Sequence, residues 1–203
     1  MLPSRFNRLG IGGEIKPIQY IESTGTQYID TGVKPDYANG DKVEISFYRA
    51  SYTGGQPCAF GSRKSNVTNG VYALALNIII CDADASSSFP IYADERNNVT
   101  LSVDNNNVVI NNTSYIMPRR VTSEFNAYLF GLNDSGWINV PYKGMKLYNW
   151  KYWKNGVLVQ NLIPVLDANS VPCLYNLVDG TFFYNAGSGT FIYGEYKKKL
   201  NYL

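Results

Sequence analysis

Short runs in which apolar residues fall at every second position recur along this chain, and Gly, Asn, Asp and Ser break them. Residues 42–48, KVEISFY, set Val43, Ile45 and Phe47 against Lys42, Glu44 and Ser46. That is the alternation of a strand with one wet face and one buried face. The run 71–80, VYALALNIII, is too apolar for a face wetted along its length, and it predicts one strand placed centrally in a sheet. Further strands are expected at 18–21, 27–31, 56–62, 98–103, 108–110, 124–132, 146–153, 158–165, 172–177 and 181–184. Of these, 18–21 and 27–31 read as a first hairpin. Residues 81–88 and 133–141 read as loops. Asn155-Gly156 and Asp179-Gly180 are hairpin turns, since both pairs accept positive φ. No segment sustains the i, i+3, i+4 apolar period of a helix, so helix should be minor.

An antiparallel all-β domain is therefore expected, and 203 residues suit one sandwich. Along 147–153, strict alternation puts Tyr148, Trp150 and Tyr152 on one face and Leu147, Asn149, Lys151 and Trp153 on the other. The lysine marks the second face as the wetter one.

Two stretches resemble a known family. Residues 145–194, with KLYNWKYWKNGVLVQNLIPV and then CLYNLVDGTFFYNAGSGTF, look like the closing half of the concanavalin A-like (laminin G-like) jelly-roll domains of tailed-phage structural proteins. Residues 20–32, YIESTGTQYIDTG, look like the opening half. The resemblance spans 18–194. It implies an antiparallel β-sandwich, a jelly roll of the concanavalin A-like lectin/glucanase type, with a short N-terminal arm at 1–17 and a basic C-terminal tail at 195–203. It also implies that the opening segment pairs with the final strand near 191–193, and the expected register sets 27–31 beside 190–193.

Composition narrows the chemistry. Histidine is absent, which removes the commonest general base and zinc ligand and every Ser-His or Cys-His nucleophile. A net charge of +2 without a basic stripe argues against nucleic acid. No apolar run approaches the ~20 residues of a membrane span, and no signal peptide is visible, so synthesis in a host cytoplasm is expected. Cys58, Cys81 and Cys173 have no metal-ligand spacing and read as small buried apolar residues. Retaining glycosidases of this fold class hold two carboxylates about 5 Å apart. The E-x-D-x-x-E spacing that supplies them does not occur here. Asp82 and Asp84, and Asp94-Glu95, are the nearest pairs and read as loop carboxylates. Asp82 and Asp84 with Ser86 supply too few oxygens for calcium, which takes about 6 to 8.

No catalytic residue, metal or cofactor is therefore expected. Seventeen Tyr, nine Phe and three Trp leave rings available for a sugar face or a protein interface. Trp137, in polar sequence, and Trp153 are the candidates for ligand contact, alongside Asp82 and Asp84. In the N-terminal arm, Leu2, Arg5, Phe6, Arg8, Leu9 and Ile11 mix charge with apolar side chains ahead of Gly12-Gly13, as an anchoring segment does. The expectation is a non-enzymatic phage virion protein on the virion surface. It would be a capsid decoration or head-fibre module, held by its arm to other virion proteins (capsid or fibre subunits) as a homo-oligomer or within a symmetric assembly. The head is favoured because the chain lacks the heptads or β-helix repeats of a long tail fibre. The alternative is a carbohydrate-binding receptor-recognition module of a tail fibre that contacts host surface glycans.

Overall fold

A computed structural model describes residues 15–51, 57–64, 68–74, 77–82, 85–91, 98–104, 107–116, 121–139 and 141–196; side chains at 68–70, 79–82 and 85–86 are not described. The arm residues 2–11 and Asp84 lie outside this set. The chain opens with β1 (Lys16–Pro17), β2 (Ile21–Glu22), β3 (Ile29–Asp30), a 3-10 turn at Tyr37–Asn39, and β4 (Lys42–Tyr48). Then come β5 (Cys58–Lys64), β6 (Thr68–Leu74), β7 (Asn77–Asp82), β8 (Ala85–Pro90), β9 (Asn98–Asp104), β10 (Asn107–Ile110) and β11 (Thr113–Ile116). The rest are β12 (Tyr128–Leu129), β13 (Leu132–Asp134), β14 (Trp137–Asn139), β15 (Lys146–Lys154), β16 (Val157–Leu166), β17 (Pro172–Asn176), β18 (Phe182–Phe183) and β19 (Ile192–Tyr193).

These strands build two sheets. The first runs β11-β10-β9-β4-β15-β16-β17-β18, with β1, β2 and β19 attached. The second runs β14-β13-β5-β6-β7-β8, with β12 and β3 attached. Pairing is antiparallel except between β13 and β5. The sheets pack face to face as a β-sandwich, and Phe60 of the second meets Trp150 of the first edge-on at 5.4 Å between ring centres. Around this contact lie Val43, Ile45, Phe47, Leu101, Val103, Leu129, Leu147 and Leu162, all buried.

The alternation in β4 holds, with Val43, Ile45 and Phe47 turned inward. In β15 it does not hold throughout. Its pairing with β4 slips between Leu147 and Asn149, so Leu147 is buried with Trp150 and Tyr152, while Tyr148, Asn149, Lys151 and Trp153 are only half-buried. An extra residue in one strand of a pair shifts the side-chain phase by one, and strict alternation cannot anticipate it. The apolar run 71–80 is two strands, not one. β6 and β7 pair as a hairpin in the sheet interior, where both faces can be apolar. Within the expected loop 81–88, Cys81 and Asp82 close β7 and 85–88 belong to β8, and 133–141 contains the β13–β14 hairpin, whose turn residues Ser135 and Gly136 take positive φ. The expected strand 124–132 is shorter, because Phe130 lies at φ 67° and separates β12 from β13.

Segments 18–21 and 27–31 do not form a hairpin. β2 pairs with β15 and β19, whereas β3 crosses to the second sheet and pairs with β12. The closing strand therefore meets Ile21–Glu22, and 26–28 meet the loop before that strand: the Ala186 and Ser188 amides donate to the Tyr28 and Thr26 carbonyls at 2.9 and 3.1 Å. Strands β15 and β16 pair near their shared turn and diverge beyond it, and segment 16–22 fills the fork, bonded to β16 at one end and to β15 at the other. On its far side, Ile18 bridges Tyr196 and the Gln19 amide donates to the Glu195 carbonyl at 3.0 Å. The chain thus enters and leaves the described structure side by side.

Large buried rings need partners for their polar atoms. The Trp150 indole N–H donates to Gln160 at 3.0 Å, and the Gln160 amide donates to the Thr31 carbonyl at 2.7 Å. Tyr152 donates to Asp41, which also accepts from Lys154 Nζ at 3.0 Å and from the Asp36 amide at 2.9 Å. Burial, the nearby Tyr37 phenol and Asp41 itself push the Tyr152 phenol far above its ordinary value. Cys58 and Cys173 are buried free thiols, Cys173 pushed up to about 12 by burial; the side chain of Cys81 is outside the described set.

Gly187 and Gly189 control the return of the closing segment. A Cβ on Gly187 would sit 2.0 Å from the Thr26 carbonyl oxygen, and Gly189 lies at φ 72°. Gly187→Ala should therefore destabilise the protein by about 2 kcal/mol or more, because backbone and not a flexible side chain must move. Urea denaturation checks it, and an unchanged midpoint would mean that the closing segment is only loosely held.

Candidate functional site: a polar groove on the first sheet

The outer face of the first sheet carries a groove of about 300 Å³, lined by residues that include Glu44, Ser46, Thr100, Ser102, Asn149 and Lys151. Its floor follows from register. Lys151 stands opposite Glu44, Glu44 opposite Ser102, and Ser102 opposite Val109. The next row is Asn149, Ser46 and Thr100. Residues two apart on a strand share a face and lie about 7 Å apart, so the rows stack along the groove. Asn112 reaches the rim from the β10–β11 turn, where it and Asn111 take positive φ, and the Asn111 side chain fastens that turn by accepting the Thr100 amide at 2.7 Å.

Aromatic rings bound the groove at both ends. Beyond the Lys151 row lies the row Trp153, Lys42, Asp104 and Asn107. There the Lys42 ammonium sits 4.8 Å from the Trp153 ring centre and pairs with Glu44 at 3.0 Å and Asp104 at 3.6 Å. The hydrogen bond to Glu44 raises the Lys42 pKa above its ordinary value. At the other end Tyr148 donates to Asn98 at 3.1 Å and meets Tyr20 edge-on, and Lys146 lies 4.5 Å from the Tyr20 ring and 5.3 Å from that of Tyr48. A hydroxyl- and amide-rich floor between flat apolar rings is the surface a polyol with apolar ring faces fits.

The candidates named from sequence do not converge. Trp153 is half-buried at one end of this groove, under Lys42. Trp137 is 79% exposed on β14, the edge strand of the other sheet. Asp82 ends β7, four strands from β14 in that sheet, so about 19 Å separates their strands. Among the described residues no cluster of three or more His, Cys, Asp or Glu is placed to hold a metal, and no helix is long and apolar enough to cross a membrane. The sequence does mark the floor residues as outward-facing in their own strands, Glu44 and Ser46 in β4 and Asn149 and Lys151 in β15. What it lacks is the register that sets them side by side.

Beside Trp137, Arg63 pairs with Asp134 at 2.6 Å, and Asn139 donates to the same carboxylate at 3.1 Å. The guanidinium, followed by Asn139, holds Asp134 below its ordinary value against the opposing effect of burial. A depressed carboxyl contributes stability above the unfolded-state value and loses it as pH falls through the folded-state value. The stability gap between the parent protein and Asp134→Asn should therefore be largest near about pH 7 and shrink toward about pH 3. Urea titrations at both pH values decide it; a gap that does not change with pH would show that the ion pair adds nothing beyond shape.

No protein-family model matches this chain, and no curated protein matches it at a significant level.

Proposed function

We propose that the chain is a non-enzymatic structural module of a tailed-phage virion, a capsid decoration or head fibre that displays its sandwich on the virion surface while its N-terminal arm joins capsid or fibre subunits. The observation that carries this reading is the shared root of the two chain ends, where Ile18 bridges Tyr196. Residue Ile15, at the start of the described chain, packs on a small apolar cluster of Ile163, Val165 and Cys173. The arm, with Arg5 and Arg8, and the tail, with Lys197, Lys198 and Lys199, continue from that one place. A module mounted there keeps the rest of its surface free for display. The resemblance to phage jelly-roll domains points the same way.

Deleting residues 1–13 should leave a soluble protein with the parent's far-ultraviolet circular dichroism and thermal midpoint that no longer enters particles when it is the only copy expressed in infected cells. Incorporation at the parent level would overturn the anchoring role.

The groove favours a second reading, that the displayed module binds carbohydrate. Hydrolysis of a glycosidic bond takes two carboxylates. Glu44 is the one carboxylate among the residues lining the groove, and it is paired with Lys42 at 3.0 Å. That is a site for holding a sugar and not for cleaving it. A glycan array probed with parent protein and Trp153→Ala tests this reading: glycan signals that the substitution reduces severalfold support it, and an array without signal sinks it.

A further inference from the structure

The lysines of β4 and β15 differ in what they face. Lys42 is paired with Glu44 and Asp104, Lys146 lies 3.8 Å from Glu22, and Lys154 lies 3.0 Å from Asp41. Lys151 is the remaining one, and among the described residues no carboxylate comes within 4.0 Å of its ammonium. Its cross-strand neighbour Glu44 lies along its own strand toward Lys42, two residues away on the same face. Lys151 thus stands in the groove wall with no direct ion pair among the described residues, between Asn149 on its own strand and the hydroxyls of Ser46 and Ser102 across the floor.

We infer that the groove selects an acidic saccharide, with a sugar-ring carboxylate on Lys151 and the ring hydroxyls on Asn149, Ser46, Thr100 and Ser102. The inference rests on the carbohydrate reading of the groove and adds the charge of the ligand. A neutral sugar offers the ammonium only hydroxyl oxygens, whereas a carboxylate offers a charge-assisted bond. A carboxylate placed 3 to 4 Å away gains an ion pair that the fold does not otherwise supply, at roughly that separation in a partly desolvated groove. The Glu44 carboxylate turns toward Lys42 at 3.0 Å, which weakens its repulsion of such a ligand, although Lys42 is shared with Asp104 at 3.6 Å. Trp153 and Tyr148 border the groove at its two ends.

The test is a titration of the full chain, followed by amide chemical shifts at low ionic strength, where surface charge is least screened. The probes are a hyaluronan tetrasaccharide, whose glucuronate rings carry carboxylates, and its carboxyl-reduced derivative, in which each carboxylate has become a hydroxymethyl group. The expected result is shifts confined to residues 44–46, 100–102 and 149–153, with the acidic form binding about two- to fivefold more tightly, the range of one exposed ion pair. Lys151→Gln should abolish that preference, and Lys151→Arg should keep it. Equal binding of the two probes would overturn the charge selection and leave the carbohydrate reading standing. A preference that survives Lys151→Gln would overturn the assignment to Lys151. Absence of shifts in the groove with either probe would overturn the inference and the reading beneath it together.

Discussion

Register between β4 and its two neighbours is the constraint from which both the core and the groove follow. With Ile45 opposite Trp150 on one side and Leu101 on the other, a continuous apolar row faces the second sheet. The same alignment places Glu44 between Lys151 and Ser102 on the outside. Because side chains alternate with a period of two, a slip by one residue would expose Val43, Ile45 and Phe47 and bury Lys42 and Glu44. Burying that charged pair is far more costly than leaving it wet, so the core enforces the arrangement of the groove without any contribution from a ligand.

The bulge in β15 reconciles two demands on one strand. Leu147 must face the core beside β2, and Trp150 and Tyr152 must face it beside β16, yet 147 and 150 differ in parity. One extra residue at Tyr148 resolves the conflict and turns that phenol outward, where it bonds Asn98 at the end of the groove. The cost of burying Trp150 and Tyr152 is then met for the indole by Gln160 across the hairpin, itself held by the Thr31 carbonyl, and for the phenol by the distant Asp41. These bonds tie the segments before β4 to the β15–β16 hairpin, which is why the chain before the first long strand is held although β1, β2 and β3 are each only two residues long.

How much of this was legible in the sequence depends on the range of the interaction. Local patterns read well: the β4 alternation, the Asn155-Gly156 turn with both residues at positive φ, and the strands β9 and β10 all stand where periodicity and turn chemistry put them. Run lengths read poorly, because an apolar hairpin such as β6–β7 has no polar phase to mark its turn, and a strand of serines such as β8 resembles a loop in composition. Non-local pairing read partly. That the ends of the domain meet was correct, but the partner of the closing strand is β2 and not 27–31, since Thr31 is drawn to the second sheet by its bonds to the Ala127 carbonyl. The groove was the least legible feature, for each of its residues is ordinary in its own strand and only the alignment of β15, β4 and β9 makes them neighbours.

The places of the arm root and the groove constrain each other. Both belong to the outer face of the first sheet: Ile15 sits on the cluster built by β16 and β17, and the groove begins on β15, the adjacent strand. Neighbouring strands are about 5 Å apart, so a partner gripping the arm at its root would approach the rim of the groove. The two proposed roles are compatible only if the partner is held some way along the arm or the ligand enters from the β9–β10 side. On that side lie β10 and β11, the strands farthest from the root in the main strand order of this sheet, and the Asn111-Asn112 turn. A ligand with its carboxylate on Lys151 would then run away from the mount, across β4 and β9, along the row of hydroxyl side chains that register has aligned.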